Sequence, residues 1–118
     1  MQRRQGLEER VPLFAARCVS VCEAIPAKRL KAGHFKDQLF RCATGVSANY
    51  AEAEEPESRL DFIHKMKVAM KELKESRVWL LFAARLVPGD AVESLKAESW
   101  ELTRMISASI NTAKSRGA

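Results

Sequence analysis

Four long stretches of this chain repeat apolar residues at steps of three and four, and a helix breaker separates each stretch from the next. This spacing places the apolar side chains on one side of an α-helix, because such a helix turns once every ~3.6 residues. Pro26, Pro56 and Pro88 lie in the three breaks, where proline ends a helix. With only 5 Gly and 4 Pro, the chain has too few turn residues for a β protein. The pattern therefore predicts an all-α protein.

The predicted helices cover most of the 118 residues, which is the length of a single domain over residues 1–118. Ser58 and Asp61 form a near capping box at the start of the third helix. Short second and third connections favour antiparallel neighbours, and so an up-down-up-down four-helix bundle. The four predicted helices run from Leu7 to Ile25, His34 to Glu54, Arg59 to Leu86 and Ala91 to Lys114.

No catalytic or cofactor-binding motif is found in the sequence. His34 and His64 have no nucleophile and no His or Cys partner at metal-ligand spacing, and there is no glycine-rich phosphate loop. Cys18 and Cys22 lie within the apolar stripe of the first helix, where we interpret them as core residues rather than metal ligands. We therefore expect a protein that is not an enzyme and holds neither a cofactor nor a metal.

Location is indicated by the thiols and by the polarity of the chain. The cysteines are odd in number and form no C-x-x-C pair, which is typical of a reducing compartment. No apolar run is long enough to span a bilayer, and the segment from Met1 to Arg10 is polar rather than signal-like. We expect a soluble, cytoplasmic protein with free thiols and no membrane association.

A polar edge borders the apolar stripe of the second helix. It consists of Gln38, Arg41, Gly45, Asn49 and Glu52, at steps of three and four. Either this edge is a binding site, or it is a structural hydrogen-bond network that specifies how the helix packs; we favour the structural interpretation. In that case truncating Asn49 to Ala is expected to cost about 1–3 kcal/mol, because its buried partners would be left unpaired.

The second half of the third helix is apolar on every side. A four-helix core can cover only one side of such a helix, so the other side needs a second partner. We therefore predict a homo-oligomer whose interface uses Trp79, Phe82 and Leu86. Trp100 lies off the apolar stripe of the fourth helix and also indicates a second contact surface.

Positive charge is concentrated in two segments. The net charge is +5, and residues 1–31 and 59–87 each carry +4 while residues 32–58 carry −3. Four cations fall within one sector of the third helix, opposite its core stripe: Lys67, Lys71, Lys74 and Arg85. This is the electrostatic pattern that phosphate backbones select. The alternative is a solvated face in which Lys71 pairs with Glu75. Glu75 interrupts the row of cations, and no aromatic residues interleave it.

A family resemblance extends over nearly the whole chain. It is carried by Gln38-Leu39, Arg41, Ala43-Thr44, Val46, Ala48-Asn49-Tyr50 and Glu52-Ala53, then by Ser58, Asp61-Phe62, Lys65, Ala69, Glu72, Glu75, Trp79-Leu80, Ser109-Ile110 and Thr112-Ala113-Lys114. These residues resemble the signature of the four-helix-bundle proteins encoded by intervening sequences in bacterial 23S ribosomal RNA genes. The resemblance implies antiparallel bundles assembled into a ring-like homopentamer. It also implies a distant likeness to the accessory proteins of diversity-generating retroelements, which bind a reverse transcriptase and nucleic acid.

Two functions remain open from the sequence. One is an accessory protein that binds RNA or DNA, which the two segments of +4 charge favour. The other is a protein-interaction scaffold whose basic surface only keeps it in solution. Salt-dependent retention on a nucleic-acid matrix distinguishes the two.

Overall fold

The computed structural model describes residues 6–117, and within that range the chain forms four helices and no strand. This confirms the predicted all-α, four-helix fold. Of the predicted single domain, residues 1–5 and 118 lie outside the described residues. The helices are α1 at Leu7–Ala24, α2 at Ala32–Glu54, α3 at Arg59–Ala83 and α4 at Ala91–Arg116.

The start of α3 is capped as its sequence predicts. Ser58 is the N-cap residue, and its Oγ accepts a hydrogen bond from the backbone N–H of Asp61 at 3.0 Å. In return the Asp61 carboxylate accepts from the backbone N–H of Glu57 at 3.1 Å. The first bond satisfies a donor that the first turn of a helix leaves free, and the second ties the residue before the N-cap to that turn, so together they fix where α3 begins.

The end of α3 comes earlier than predicted, at Ala83 rather than Leu86. The chain tightens there into a turn, in which the N–H of Arg85 bonds the carbonyl of Phe82 and the N–H of Leu86 bonds that of Ala83. Bonds to the third residue back commonly tighten the last turn of a helix ahead of a proline such as Pro88. Arg85 and Leu86 therefore do not continue the α3 face.

Adjacent helices run in opposite directions. Glu52 near the end of α2 pairs with Lys65 near the start of α3, whereas Phe35 near the start of α2 packs on Trp79 near the end of α3. Of the four principal helix pairs, α2–α3 has the most extensive contact and α1–α4 the least extensive. The α1 and α4 pairs show the same reversal: Arg10 with Glu98 and Arg17 with Ser94.

One apolar core extends along the bundle, and all four helices contribute fully buried side chains to it, among them Phe14, Leu39, Leu73 and Leu102. The predicted stripes are thus the core-facing sides. Each such side chain contributes about 1.5–3 kcal/mol by leaving water. No helix among residues 6–117 combines the length and the apolar character that crossing a membrane requires.

Candidate functional site

Three of the four predicted nucleic-acid-binding residues share the outer face of α3. Lys67, Lys71 and Lys74 are all exposed, and at ~1.5 Å of rise per residue they span about 10 Å along the helix. Arg85 is also exposed but lies two residues beyond the end of α3, in the turn before α4. The basic face, defined here as Lys67, Lys71 and Lys74, is therefore shorter than the sequence indicates.

The lysines of the basic face are not neutralised by carboxylates. Glu75, which the solvated-face alternative pairs with Lys71, instead binds Arg41 of α2. Within residues 6–117, none of these three lysines takes part in an ion pair. Their ammonium groups can therefore meet an anion without first giving up a partner.

A shallow groove joins the basic face to α4. Lys71 and Lys74 line a pocket of about 220 Å³ together with Met70 and Arg77 of α3 and Thr103 of α4. Three of these five side chains are cationic and none is acidic. We call this surface, with Ser99 and Trp100 at its α4 side, the α3–α4 seam.

Arg77 occupies the centre of the α3–α4 seam. Its Nη1 donates to the carbonyl of Ser99 at 3.2 Å and to the Thr103 hydroxyl at 2.9 Å. Its guanidinium carbon lies 3.8 Å from the centroid of the Trp100 ring. Burial lowers the pKa of Arg77, but an arginine stays protonated in proteins, so the charge is held by neutral groups alone.

Sequence reasoning missed Arg77 as a member of this site. The available signal was its spacing, since Arg77 follows Lys74 by three residues and so lies one turn further along α3. The second signal was Trp100, which the helical pattern of α4 leaves off the core stripe. The aromatic residue that the basic sector lacks on α3 is supplied by α4.

The opposite side of α3 faces α2, and there the cations are paired. Arg41 donates to Gln38 Oε1 at 3.1 Å and to Glu75 Oε2, and it lies 3.7 Å from Glu72 Oε2. The hydrogen bond to Glu75, reinforced by its charge, raises the pKa of Arg41. Lys65 is likewise bound to a carboxylate. We call this surface the α2–α3 seam.

The predicted polar network of α2 is divided in the structure. Gln38 and Arg41 are joined, but Glu52 binds Lys65 at 2.8 Å instead of either of them. Asn49 donates to the carbonyl of Gly45, at 2.9 Å and within its own helix. The four predicted residues therefore share an edge of α2 without forming one network.

Gly45 allows the two helices of this seam to approach closely. A Cβ built on Gly45 would lie 3.1 Å from Glu72 Oε2, the one buried side-chain oxygen or nitrogen among residues 6–117 that has no hydrogen-bond partner. The Glu72 carboxylate thus rests against the bare backbone of α2, with Arg41 as its nearest compensating charge. The close approach of α2 and α3 at this point therefore depends on the absence of a side chain at Gly45.

The predicted oligomer interface divides into packed and exposed parts. Trp79 is half-buried in an aromatic cluster, with its ring 5.6 Å from that of Phe35 and 5.9 Å from that of Phe82. Leu86 packs against the core of its own chain. Toward the end of α3, an open apolar surface is formed by three residues that are between 45% and 54% exposed: Val78, Leu81 and Phe82.

The three cysteines lie in the interior, as their place in the apolar stripes indicates. Burial is the main cause that raises the pKa of Cys18 to about 12 and that of Cys42 to about 11. Burial also raises the pKa of the Cys22 thiol. Protonated, buried thiols of this kind pack as small apolar groups.

Comparisons with known proteins confirm the resemblance. A family profile described as "23S rRNA-intervening sequence protein" matches residues 10–108. A solved structure from Bacteroides thetaiotaomicron, of a protein with unknown function from the S23 ribosomal protein family, is 28% identical in sequence. It superimposes with a TM-score of 0.79 over 89% of this chain and 98% of the other. No curated protein is significantly similar to this chain.

Proposed function

Because the chain belongs to the family of 23S rRNA-intervening sequence proteins, we propose that it is a non-enzymatic, oligomeric protein that binds the phosphate backbone of nucleic acid. The contact surface would be the basic face of α3 together with the adjoining α3–α4 seam. One observation carries this proposal: within the part of the chain that the structure describes, the cations on this side of α3 have no carboxylate partner, whereas Arg41 and Lys65 on the other side do.

Unpaired lysines suit a phosphate ligand for a physical reason. A lysine already bound to a carboxylate must exchange one anion for another, so little is gained on binding. A free lysine that neutralises a phosphate releases a condensed counterion, which favours binding and makes it weaken with salt. Lysine contacts of this kind position a nucleic acid without reading its bases, so we expect binding that tolerates many sequences.

Self-association would enlarge this surface. The exposed patch of Val78, Leu81 and Phe82 lies one to two turns beyond Lys74 on the same helix, and it is apolar enough to support a contact between copies. In the homopentameric ring that the family resemblance implies, each protomer would add an identical basic face. The summed field would then attract a polyanion more strongly than one chain alone.

The alternative function is a protein-interaction scaffold, and the same apolar patch favours it. If Val78, Leu81 and Phe82 receive a different protein, the lysines on the neighbouring turns serve only to keep the molecule in solution. Nucleic-acid binding distinguishes the two functions directly.

The test is a triple charge reversal on the basic face, Lys67→Glu with Lys71→Glu and Lys74→Glu. We expect affinity for a fluorescent oligonucleotide to fall at least about a hundredfold at low salt, because phosphate contacts are lost and repulsion is added. The matched control reverses three exposed cations of the connector before α2: Lys28, Arg29 and Lys31. It changes the net charge by the same amount. Because these three residues lie outside the basic face, we expect a much smaller loss of affinity.

Helicity and assembly size are measured first, so that a folding defect is not mistaken for lost binding. Unaltered affinity in the basic-face variant, or equal losses in the two variants, would reject the basic face as the binding surface. Absence of any binding by the unmodified protein at low salt would reject the nucleic-acid function and leave the scaffold.

Oligomerisation is tested by sedimentation of the unmodified protein and of Phe82→Glu. We expect a homo-oligomer at micromolar concentration, pentameric if the family resemblance holds. The charge that Phe82→Glu places in the apolar patch should shift the equilibrium toward the monomer, since burying an unpaired carboxylate at an interface is costly. A monomeric unmodified protein at micromolar concentration would overturn this part of the proposal.

A further inference from the structure

Trp100 is the most exposed tryptophan of the chain and has a fixed position. Its side chain is 55% exposed even though Arg77 covers one face of the ring at 3.8 Å. Packing alone does not require an indole here, because the core stripe of α4 is complete without it. The large apolar ring is therefore presented to solvent with its other face open.

Arg77 packs against one face of the Trp100 ring and is fixed by hydrogen bonds of its own. Its hydrogen bonds to the Ser99 carbonyl and to Thr103 fix the guanidinium against α4. A guanidinium stacked on an indole restrains the rotation of both side chains. The exposed face of Trp100 is thus a rigid, flat, apolar surface at the edge of a groove that carries positive charge.

The order of side chains along the α3–α4 seam suits a ligand that alternates charged groups and rings. Lys71, Lys74 and Arg77 follow one another at three-residue steps, which is about 4.5 Å of rise for each step along α3. The pocket between the helices brings Lys71 and Lys74 beside Arg77 and Thr103, one turn of α4 from Trp100. Cations for phosphates and an open aromatic face for a base therefore lie within a short reach of each other.

Stacking on Trp100 selects for an unpaired base. In a duplex the two faces of each base are covered by its neighbours, and only edges and backbone are offered to a protein. A single strand can turn a base outward and place its face on an aromatic side chain, while the flanking phosphates stay in a basic groove.

We propose that Trp100 is a stacking platform for an unpaired nucleobase, so that the ligand of the basic face and the α3–α4 seam is single-stranded nucleic acid. This inference rests on the proposed nucleic-acid function and narrows its ligand class. Both RNA and DNA single strands offer the required chemistry, because every base has a face on which to stack.

Three probes of equal length separate stacking from charge: a 15-nucleotide oligothymidylate, an abasic strand with the same phosphates, and a duplex. An oligouridylate serves as the RNA counterpart of the first. We expect the oligothymidylate and the oligouridylate to bind more tightly than the abasic strand and to quench tryptophan fluorescence. Removing the ring with Trp100→Leu should weaken their binding about tenfold and abolish the quenching, since Trp79 is not the stacking residue.

Trp100→Phe is the matched control, because it keeps an aromatic face over Arg77 while reducing its area. We expect it to retain most of the affinity for the single strands. Affinity for the abasic strand and for the duplex should be nearly equal in all three proteins, and the dependence on salt should not change, because no charge is removed. Thermal melting confirms that each variant is folded.

Equal affinity for oligothymidylate and the abasic strand, or unchanged single-strand affinity in Trp100→Leu, would overturn the stacking role of Trp100. In that case the proposed function stands as long as reversing the charges of the basic face weakens binding. If no probe binds the unmodified protein at low salt, both the proposed function and this inference are wrong.

Discussion

The two seams that flank α3 contain similar numbers of cations, yet they differ in what those cations face. In the α2–α3 seam, Arg41 is bound by Glu75 and lies close to Glu72, and Lys65 is bound by Glu52. In the α3–α4 seam the arginine is held by a carbonyl, a hydroxyl and an aromatic ring. No carboxylate among residues 6–117 pairs with its lysine neighbours.

This difference separates a charge that is neutralised within the fold from a charge whose field is left for a ligand. Ion pairs across exposed helix surfaces contribute little to stability and mainly cancel the field that a partner would sense. An arginine fixed by neutral groups keeps its field while its position is set by the fold. A count of cations along α3 cannot separate the two cases, because the neutralising carboxylates come from another helix.

The largest effect on stability is expected where an arginine is part of the packing. We predict that Arg77→Ala lowers the free energy of unfolding by about 2 kcal/mol, because two hydrogen bonds of a partly buried charged group and the contact of its stem with Trp100 are lost. Arg41→Ala, at an exposed position of the other seam, should change stability little. Urea denaturation measures both; a loss at Arg41 as large as that at Arg77 would contradict the distinction between the seams.

A smaller effect, on the affinity for nucleic acid, is expected when a carboxylate is introduced into the α3–α4 seam, as the α2–α3 seam already has. Thr103→Glu places one beside Arg77 and Lys74 without removing any cation. We predict about tenfold weaker binding of a single-stranded oligonucleotide, because the new charge neutralises the groove internally and repels phosphates. Ala108→Glu, exposed elsewhere on α4, carries the same change in net charge and should bind nearly as the unmodified protein does. Equal affinities for the two variants would show that the groove is not in contact with the ligand.

The smallest effect is expected at Asn49, on the polar edge of α2. We predict that Asn49→Ala stays within about 0.5 kcal/mol of the unmodified protein, because its side chain bonds only the Gly45 carbonyl of its own helix and alanine favours the helix. The sequence alone predicts a larger cost, of about 1–3 kcal/mol, from partners left buried on a neighbouring helix. A measured cost in that larger range would mean that Asn49 has a partner outside its own helix.

Helical periodicity was sufficient to predict the core, because steps of three and four residues determine which side of each helix is apolar. Leu39, Leu73 and Leu102 are buried for this reason. The cap at Ser58 could also be predicted, since the residues that form its two hydrogen bonds, Glu57, Ser58 and Asp61, lie within four positions of one another. The end of α3 could not be predicted in this way, because the apolar residues Ala84, Leu86 and Val87 follow Ala83 and continue the pattern. Only the tightened turn before Pro88 removes Leu86 from the helix.

The candidate site was only half predictable, because its parts belong to different helices. Lys67, Lys71 and Lys74 share one face of α3 and were found from their spacing. The stacking of Arg77 on Trp100, 23 positions later in the sequence, depends on how α3 and α4 meet, and no local pattern encodes that contact. For the same reason, the spacing along α3 allows a pair between Lys71 and Glu75, although in the structure Arg41 of α2 binds Glu75.

Lysine acetylation in the presence and absence of a single-stranded oligonucleotide tests most directly which side of α3 binds nucleic acid, since it requires no substitution. Mass spectrometry reports the reactivity of each lysine in the unmodified protein. We predict that the bound strand protects Lys67, Lys71 and Lys74 and leaves Lys28 and Lys65 as reactive as before. Protection centred on Lys65, or equal protection of all five, would contradict the assignment of the basic face and the α3–α4 seam as the binding surface.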